Sequence, residues 1–301
     1  MTITEEIQSL KKEKDAIILA HYYVSPEVQK IADYIGDSFY LSKVAASTDA
    51  KVLVFCGVSF MGESAKILNP DKTVLMPDAD ADCPMAHMAD IEKIKELRSR
   101  YEDLAVVCYI NSTAELKSYS DVCVTSANAL KIVKALPNKN ILFIPDENLG
   151  RYIASQIPGK HFVFNDGRCP VHAKVTAEAV KKTKEAHPDA KLLVHPECVP
   201  EVLALADYIG STSGIIQYAA KSDEASFIIC TEEGVLHELQ EQNPQKTFYM
   251  AEDHFQCSDM KKITLEKVLA VLKNGSDPVE VDRELADASM PPLKRMLELS
   301  K

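Results

Sequence analysis

Apolar residues along this chain come in short runs, and each run gives way to a stretch of different period. Ile17-Ile18-Leu19, Val106-Val107 and Leu192-Leu193-Val194 are strand-like runs. Three longer stretches, Lys51 to Met76, Asn140 to Phe164 and Ser226 to Met250, share one pattern. Each reads as a strand rich in Val, Ile, Leu and Phe, a segment of helical period, a turn with proline and another strand. The turns are Asn69-Pro70, Ile157-Pro158 and Asn243-Pro244. Short strands alternating with helices predict parallel β–α–β units with right-handed crossovers.

The elements repeat. Ala32-Asp33-Tyr34-Ile35-Gly36-Asp37-Ser38 recurs as Ala206-Asp207-Tyr208-Ile209-Gly210-Ser211-Thr212, with a weaker copy at Ser120-Asp121-Val122-Cys123-Val124-Thr125-Ser126. The aligned aspartates Asp33, Asp121 and Asp207 stand 88 and 86 residues apart. Twelve residues before them are His21, Tyr109 and His195, each at a strand end; five residues after them are Ser38, Ser126 and Thr212, each at a predicted helix start. Thr2 or Thr4, Asp90 and Thr176 are candidate N-caps of the helix that opens each unit. The predicted fold is α/β, with three pseudo-threefold-related αβα units, each on a parallel sheet, around a central site. The units span 1–88, 89–174 and 175–262. A helical segment, 263–301, is opened by Thr264 and expected to pack back on the first unit.

Charge narrows the function. Against 34 Lys and Arg stand 45 Asp and Glu, a net charge of −11. Such a chain is unsuited to neutralising nucleic-acid phosphates or to docking on an anionic membrane. The N-terminus has no basic segment followed by an apolar one, and runs such as Ala16 to Ala20 and Leu104 to Ile110 are too short to span a bilayer. A cytoplasmic location is therefore expected, with the eight cysteines as thiols rather than disulfides.

Three of those cysteines follow the repeat. Cys83, Cys169 and Cys257 are 86 and 88 residues apart and lie 50, 48 and 50 residues beyond the aligned aspartates, in polar loops after a strand. Cys56 and Cys230 match each other but face Ile144 in the middle unit, and Cys108, Cys123 and Cys198 have no threefold partners. These five read as packing residues. Ligands of parallel α/β units bind beyond the carboxyl ends of the strands, so three units would direct one thiolate each toward a shared axis. Three soft thiolates suit zinc or an iron–sulfur cluster, and their spacing alone does not choose between them. His21, Tyr109 and His195, extended by Tyr22-Tyr23, Asn111 and Glu197, supply acid–base groups to the same place. Helix starts at Ser38, Ser126 and Thr212 favour an anionic substrate. No nucleotide-binding glycine motif is present.

The chain resembles the quinolinate synthase family over nearly its whole length. The resemblance rests on Ala20-His21-Tyr22-Tyr23, Gly36-Asp37-Ser38, the segment Val58 to Pro70, Tyr109-Ile110-Asn111-Ser112 and Thr125 to Ala129. It continues through Pro145 to Gly150, Cys169-Pro170-Val171-His172, His195-Pro196-Glu197-Cys198, Gly210 to Gly214 and Met260 to Leu265. It implies three pseudo-symmetric α/β units around a [4Fe–4S] cluster held by Cys83, Cys169 and Cys257. The implied reaction is condensation of iminoaspartate with dihydroxyacetone phosphate to quinolinate, with loss of phosphate and two waters. By motif, His21, Ser38, Tyr109, Ile110, Asn111, Ser126, His195, Pro196, Glu197 and Thr212 would contact substrate, with Glu197, Tyr109, His195 and His21 as candidate catalytic groups. Transient contact with the enzyme that produces iminoaspartate is a further expectation, as is the absence of nucleic-acid and membrane partners. Two departures stand out. The acidic Asp82 precedes the first cysteine, where the family usually has a small residue. Arg168 precedes the second, in place of a frequent aromatic. His87 and His254 lie near cluster cysteines and read as solvent-facing loop residues, with extra ligands as the alternative. A zinc lyase or aldolase using the same cysteines and a non-enzymatic iron–sulfur sensor are the competing readings.

Overall fold

The computed structural model describes every residue except Met1, His254 and Asp277. Eight elements make up the first repeat: α1 (Ile3–Glu13), β1 (Ala16–His21), α2 (Pro26–Ile31), β2 (Tyr34–Gly36), α3 (Ser38–Ser47), β3 (Val52–Cys56), α4 (Ser59–Leu68) and β4 (Thr73–Leu75). The same order returns as α5 (Ile91–Arg100), β5 (Leu104–Tyr109), α6 (Ala114–Ser118), β6 (Val122–Val124), α7 (Ala129–Ala135), β7 (Asn140–Ile144), α8 (Glu147–Ser155) and β8 (His161–Phe164). It returns again as α9 (Ala177–Ala186), β9 (Lys191–Val194), α10 (Pro200–Leu203), β10 (Tyr208–Ile209), α11 (Thr212–Lys221), β11 (Ser226–Cys230), α12 (Val235–Gln242) and β12 (Thr247–Met250). Each repeat carries one four-stranded sheet, ordered β2-β1-β3-β4, β6-β5-β7-β8 and β10-β9-β11-β12, and every strand pairing is parallel. The threefold α/β architecture expected from the repeat is therefore present.

The repeated aspartate is explained by the ladder. Asp33, Asp121 and Asp207 accept the N–H groups of Ile18, Val106 and Leu192 at 2.7, 2.7 and 2.8 Å, where the inner strand amide would otherwise have no acceptor. Each aspartate N–H in turn donates to the carbonyl of that same strand residue. A basic residue of the opening helix completes the contact: Lys11, Arg98 and Lys184, at 2.7, 2.9 and 3.4 Å. A second threefold device lies after the proline-containing turns. Lys72, Lys160 and Lys246 donate to carbonyls at or just beyond the C-terminal ends of α3, α7 and α11: Ala45 and Thr48, Leu136 and Asn138, Ala219 and Ser222. An ammonium there satisfies orphan carbonyls at the negative end of the helix dipole.

Thr2, Asp90, Thr176 and Thr264 all cap helices through their side chains. Thr264 opens α13 (Leu265–Asn274), which lies on α1, while α14 (Arg283–Leu299) lies against α4 of the first repeat and α6, β6 and α7 of the second. One continuous apolar core joins the first two repeats to these last helices; the third repeat buries the faces of its own sheet in two separate clusters. No helix among the described residues is long and apolar enough to cross a membrane.

Candidate active site

The strand ends fix where the chemistry sits. His21 and Tyr109 close β1 and β5, and His195 follows β9 directly. All three line one cavity of about 290 Å³ together with Ser38, Asn111, Ser126, Glu197, Thr212, Cys83, Cys169 and Cys257. Ile110 and Pro196 are buried beside it and do not line it.

The two histidines are set by the same local device. The N–H of Tyr23 donates to Nδ1 of His21 at 3.2 Å, and that of Glu197 to Nδ1 of His195 at 3.4 Å. Nδ1 is thus the acceptor in both rings, which puts the proton on Nε2. His195 Nε2 lies 3.2 Å from Ser126 Oγ. A chain of polar contacts links the repeats. Tyr23 Oη bonds the hydroxyls of Thr212 and Thr231 at 2.7 and 2.8 Å, and Thr231 meets His172 Nε2 at 2.9 Å. His172 Nδ1 lies 2.8 Å from Glu197 Oε2 and 3.2 Å from Cys169 Sγ.

Burial sets the charge states. Loss of hydration drives His21 and His195 down to about 3 against a nearby carboxylate that favours their charged forms, so both rings are neutral. Burial also opposes charge on Glu197, but His172 and His195 outweigh it and hold the carboxylate down at about 2. Tyr23 and Tyr109 are pushed well up by burial and then by Glu197, and remain protonated. The result is an ionised Glu197 beside the neutral rings of His21 and His195 and the protonated phenols of Tyr23 and Tyr109. Among the described residues, Glu197 Oε1 and Asn111 Oδ1 have no hydrogen-bond partner despite their burial. Buried polar atoms are ordinarily satisfied, and both residues line the cavity, so these two oxygens can accept hydrogen bonds from a molecule held there.

The cysteines converge from three loops. None is in a disulfide. Burial raises Cys83 to about 12 and also raises Cys169 and Cys257. Each is followed by a 3-10 turn, Pro84–His87, His172–Lys174 or Met260–Lys262. Backbone N–H groups in or beside these turns favour the thiolate: Ala86 and Met85 toward Cys83, His172 toward Cys169, Met260 and Asp259 toward Cys257. Three thiols that need a cation to ionise, each already met by N–H donors, fit a cluster or metal ion. A single-ion alternative is also present, since Cys169, His172 and Glu197 offer donor atoms within 4.8 Å of one another.

Some sequence expectations shift by a residue. Ser38 and Thr212 are the first residues of α3 and α11; the capping side chains are Asp37 and Ser211, bonded to the N–H groups of Tyr40 and Gly214. Ser126 stands before the Asn128 N-cap of α7. Because Asp37 and Ser211 do the capping, Ser38 and Thr212 are left to line the cavity, which Ser126 lines as well. Asp37 also accepts from Ser213 at 2.6 Å, joining the starts of α3 and α11. His87 is exposed and bonded to Asp82 at 2.6 Å rather than facing the cavity, while His254 lies outside the described residues. Sequence reasoning missed four groups: His172, Thr231, Asp146 and Glu232. Asp146 and Glu232 are fully buried behind Cys169 and Cys257 and accept their N–H groups. His172 lies three residues after Cys169, a spacing that was visible in the chain.

Three parallel-sheet repeats sharing one buried cavity, with neutral histidines, an ionised glutamate and three inward thiols, define an enzyme acting on small polar molecules. A family model described as "Quinolinate synthetase A protein" matches residues 5–298. The quinolinate synthase of Fusobacterium nucleatum subsp. nucleatum is 55% identical over 296 residues, covering 98% of this chain and 99% of that one. The quinolinate synthase of Clostridioides difficile is 51% identical over 299 residues, 99% and 98% of the two chains. That of Aquifex aeolicus is 46% identical over 303 residues, 99% and 94%. The chain belongs to the quinolinate synthase family of NAD-biosynthetic enzymes.

Proposed function

We propose that this chain condenses iminoaspartate with dihydroxyacetone phosphate to give quinolinate, phosphate and two waters, and that Cys83, Cys169 and Cys257 hold a [4Fe–4S] cluster. The observation that carries this reading is the meeting of the three cysteines with His21, Tyr109, His195 and Glu197 in one cavity. When bound, the cluster supplies a Lewis-acidic iron with no protein sulfur on it, suited to a substrate hydroxyl or carboxylate.

The protein's own groups do the rest. Ser38, Ser126 and Thr212, with N–H groups at the starts of α3 and α11, hold carboxylate and phosphate oxygens. Asn111 Oδ1 and Glu197 Oε1 accept hydrogen bonds from substrate N–H or O–H groups. Glu197, ionised between His172 and His195, removes protons during isomerisation and dehydration. Tyr109 and the Nε2–H groups of His21 and His195 are neutral donors to oxygens that gain charge. Ile110 and Pro196, which do not line the cavity, act through the backbone beside Tyr109, His195 and Glu197. The repeat limits 1–88, 89–174 and 175–262, with 263–301 as an appended helical segment, belong to the same proposal. So do the cytoplasmic setting and a transient contact with the enzyme that supplies unstable iminoaspartate.

The test is an anaerobic assay with both substrates. Quinolinate and phosphate released in equal amounts support the reading; no quinolinate from fully loaded protein overturns it. The Cys169, His172 and Glu197 donors favour one second reading, a lyase or aldolase using a single zinc ion. Iron and acid-labile sulfide analysis separates the two.

A further inference from the structure

The three cysteine loops leave their sheets alike but are fastened differently. Ser59, Glu147 and Glu233 donate their N–H groups to the carbonyls of Ala81, Gly167 and Phe255 at 2.8, 2.7 and 2.9 Å. In each case the cysteine lies two residues beyond the acceptor. The residues just before these donors, Val58, Asp146 and Glu232, therefore occupy one structural position. In the second and third repeats that position carries a buried carboxylate with two tasks. Asp146 accepts from Cys169 N–H at 3.0 Å and Leu149 N–H at 2.7 Å. Glu232 accepts from Cys257 N–H at 3.1 Å and Gly234 N–H at 2.7 Å. Each carboxylate thus ties a cysteine to the start of the following helix.

Val58 has no group that can do this. The first repeat instead carries Asp82, directly before Cys83. Its Oδ1 takes the hydroxyl of Ser59, the first residue of α4, and its Oδ2 takes His87 Nε2 at 2.6 Å, at the far end of the 3-10 turn. One carboxylate thereby ties both ends of the Cys83 turn, starting from the ligand side rather than from the strand.

We propose that Asp82 is the positioning residue of Cys83, replacing in this chain the buried carboxylate that the other two repeats place behind their cysteines. The proposal rests on the cluster reading above. Partners that orient a ligand from behind typically carry a factor of about 10–100 in metal affinity. Asp82 does not line the cavity, and its side chain bonds Ser59 and His87 while only its backbone N–H reaches Asp259, at 3.4 Å, so loss of the carboxylate acts on retention of the cluster before it acts on substrate.

The experiment uses anaerobically purified holoprotein and its Asp82→Ala and Asp82→Asn variants, with Asp80→Ala as a control in the same loop. Iron and sulfide per chain, the rate of iron loss to a chelator and the reduction potential are measured beside the melting temperature of the apo-protein. Asp82→Ala is expected to lose iron about tenfold faster or more, at an unchanged apo melting temperature. Asp82→Asn, which keeps one acceptor oxygen, is expected to recover part of the retention, and Asp80→Ala to match wild type. An iron-loss rate within twofold of wild type and an unchanged reduction potential in Asp82→Ala would overturn the proposal, as would an equal effect from Asp80→Ala. Wild-type protein without iron and sulfide would instead refute the cluster reading on which it rests.

Discussion

Replacing Glu197 by Gln keeps the length and volume of the side chain and removes the buried negative charge between His172 and His195. Its Oε2 lies 2.8 Å from His172 Nδ1 and 3.7 Å from His195 Nδ1, so the charge-assisted contact with His172 goes first. Hydrogen bonds to charged groups contribute about 1.5–3 kcal/mol, which the amide oxygen partly replaces. His21 and His195 do not acquire charge in exchange: burial keeps them neutral, and Glu197 was the neighbour favouring their charged forms. The larger effect is on turnover. Loss of a general base costs about 10²- to 10⁴-fold, or about 3–5 kcal/mol in the barrier. We expect kcat for quinolinate formation to fall by that factor under anaerobic conditions, with iron and sulfide content unchanged. A kcat within tenfold of wild type would refute the role given to Glu197. Loss of bound metal on the same substitution would point to the single-ion site at Cys169, His172 and Glu197.

Cys169→Ala should remove most iron and sulfide and the associated absorbance from anaerobically purified protein; normal content of both would exclude Cys169 as a ligand. Stability should depend on pH through His21 and His195. Their folded values near 3 lie below the ordinary 6.5, so unfolded chains take up two protons that the fold refuses. That stability is complete above pH 6.5 and is lost on acidification toward 3, at up to about 2.7 kcal/mol per pH unit. Urea unfolding of the apo-protein between pH 7 and 5 measures it, and a flat profile would mean that the rings are not buried as neutral groups. Asp207→Ala leaves the Leu192 N–H without its acceptor and should cost about 1–3 kcal/mol, the half-exposed Lys184 adding less than about 1. A loss below about 0.5 kcal/mol in urea unfolding would remove the repeated aspartate from the account of the fold.

The threefold register was readable because the physical demand behind it recurs three times. Each inner strand needs an acceptor, so Asp33, Asp121 and Asp207 return at the same offset, and with them the strand-end residues and the cysteine loops. Groups that break the symmetry were hidden by the same logic. His172 lies three residues after Cys169, where the other repeats have Ala86 and Met260, so no repetition marked it. Asp146 and Glu232 are paired with Val58, so the carboxylate at that position does not return in all three repeats. The starts of α3 and α11 were placed to within a residue, and that of α7 was placed three residues early, at Ser126 rather than Ala129. What moved was the cap, because Asp37 and Ser211 compete with Ser38 and Thr212 for that position and only backbone geometry decides between them. Ring tautomers depend on the Tyr23 and Glu197 N–H groups folding back on Nδ1, which no spacing rule reveals.

The proposed function depends on Cys83, Cys169 and Cys257 sharing one iron–sulfur cluster beside the Glu197 site. Anomalous scattering at the iron edge, from anaerobically grown crystals, addresses it without reference to turnover. The account predicts one compact iron peak bonded to all three sulfurs and facing the cavity. A lone ion on Cys169, His172 and Glu197, or iron absent from all three cysteines, would contradict it.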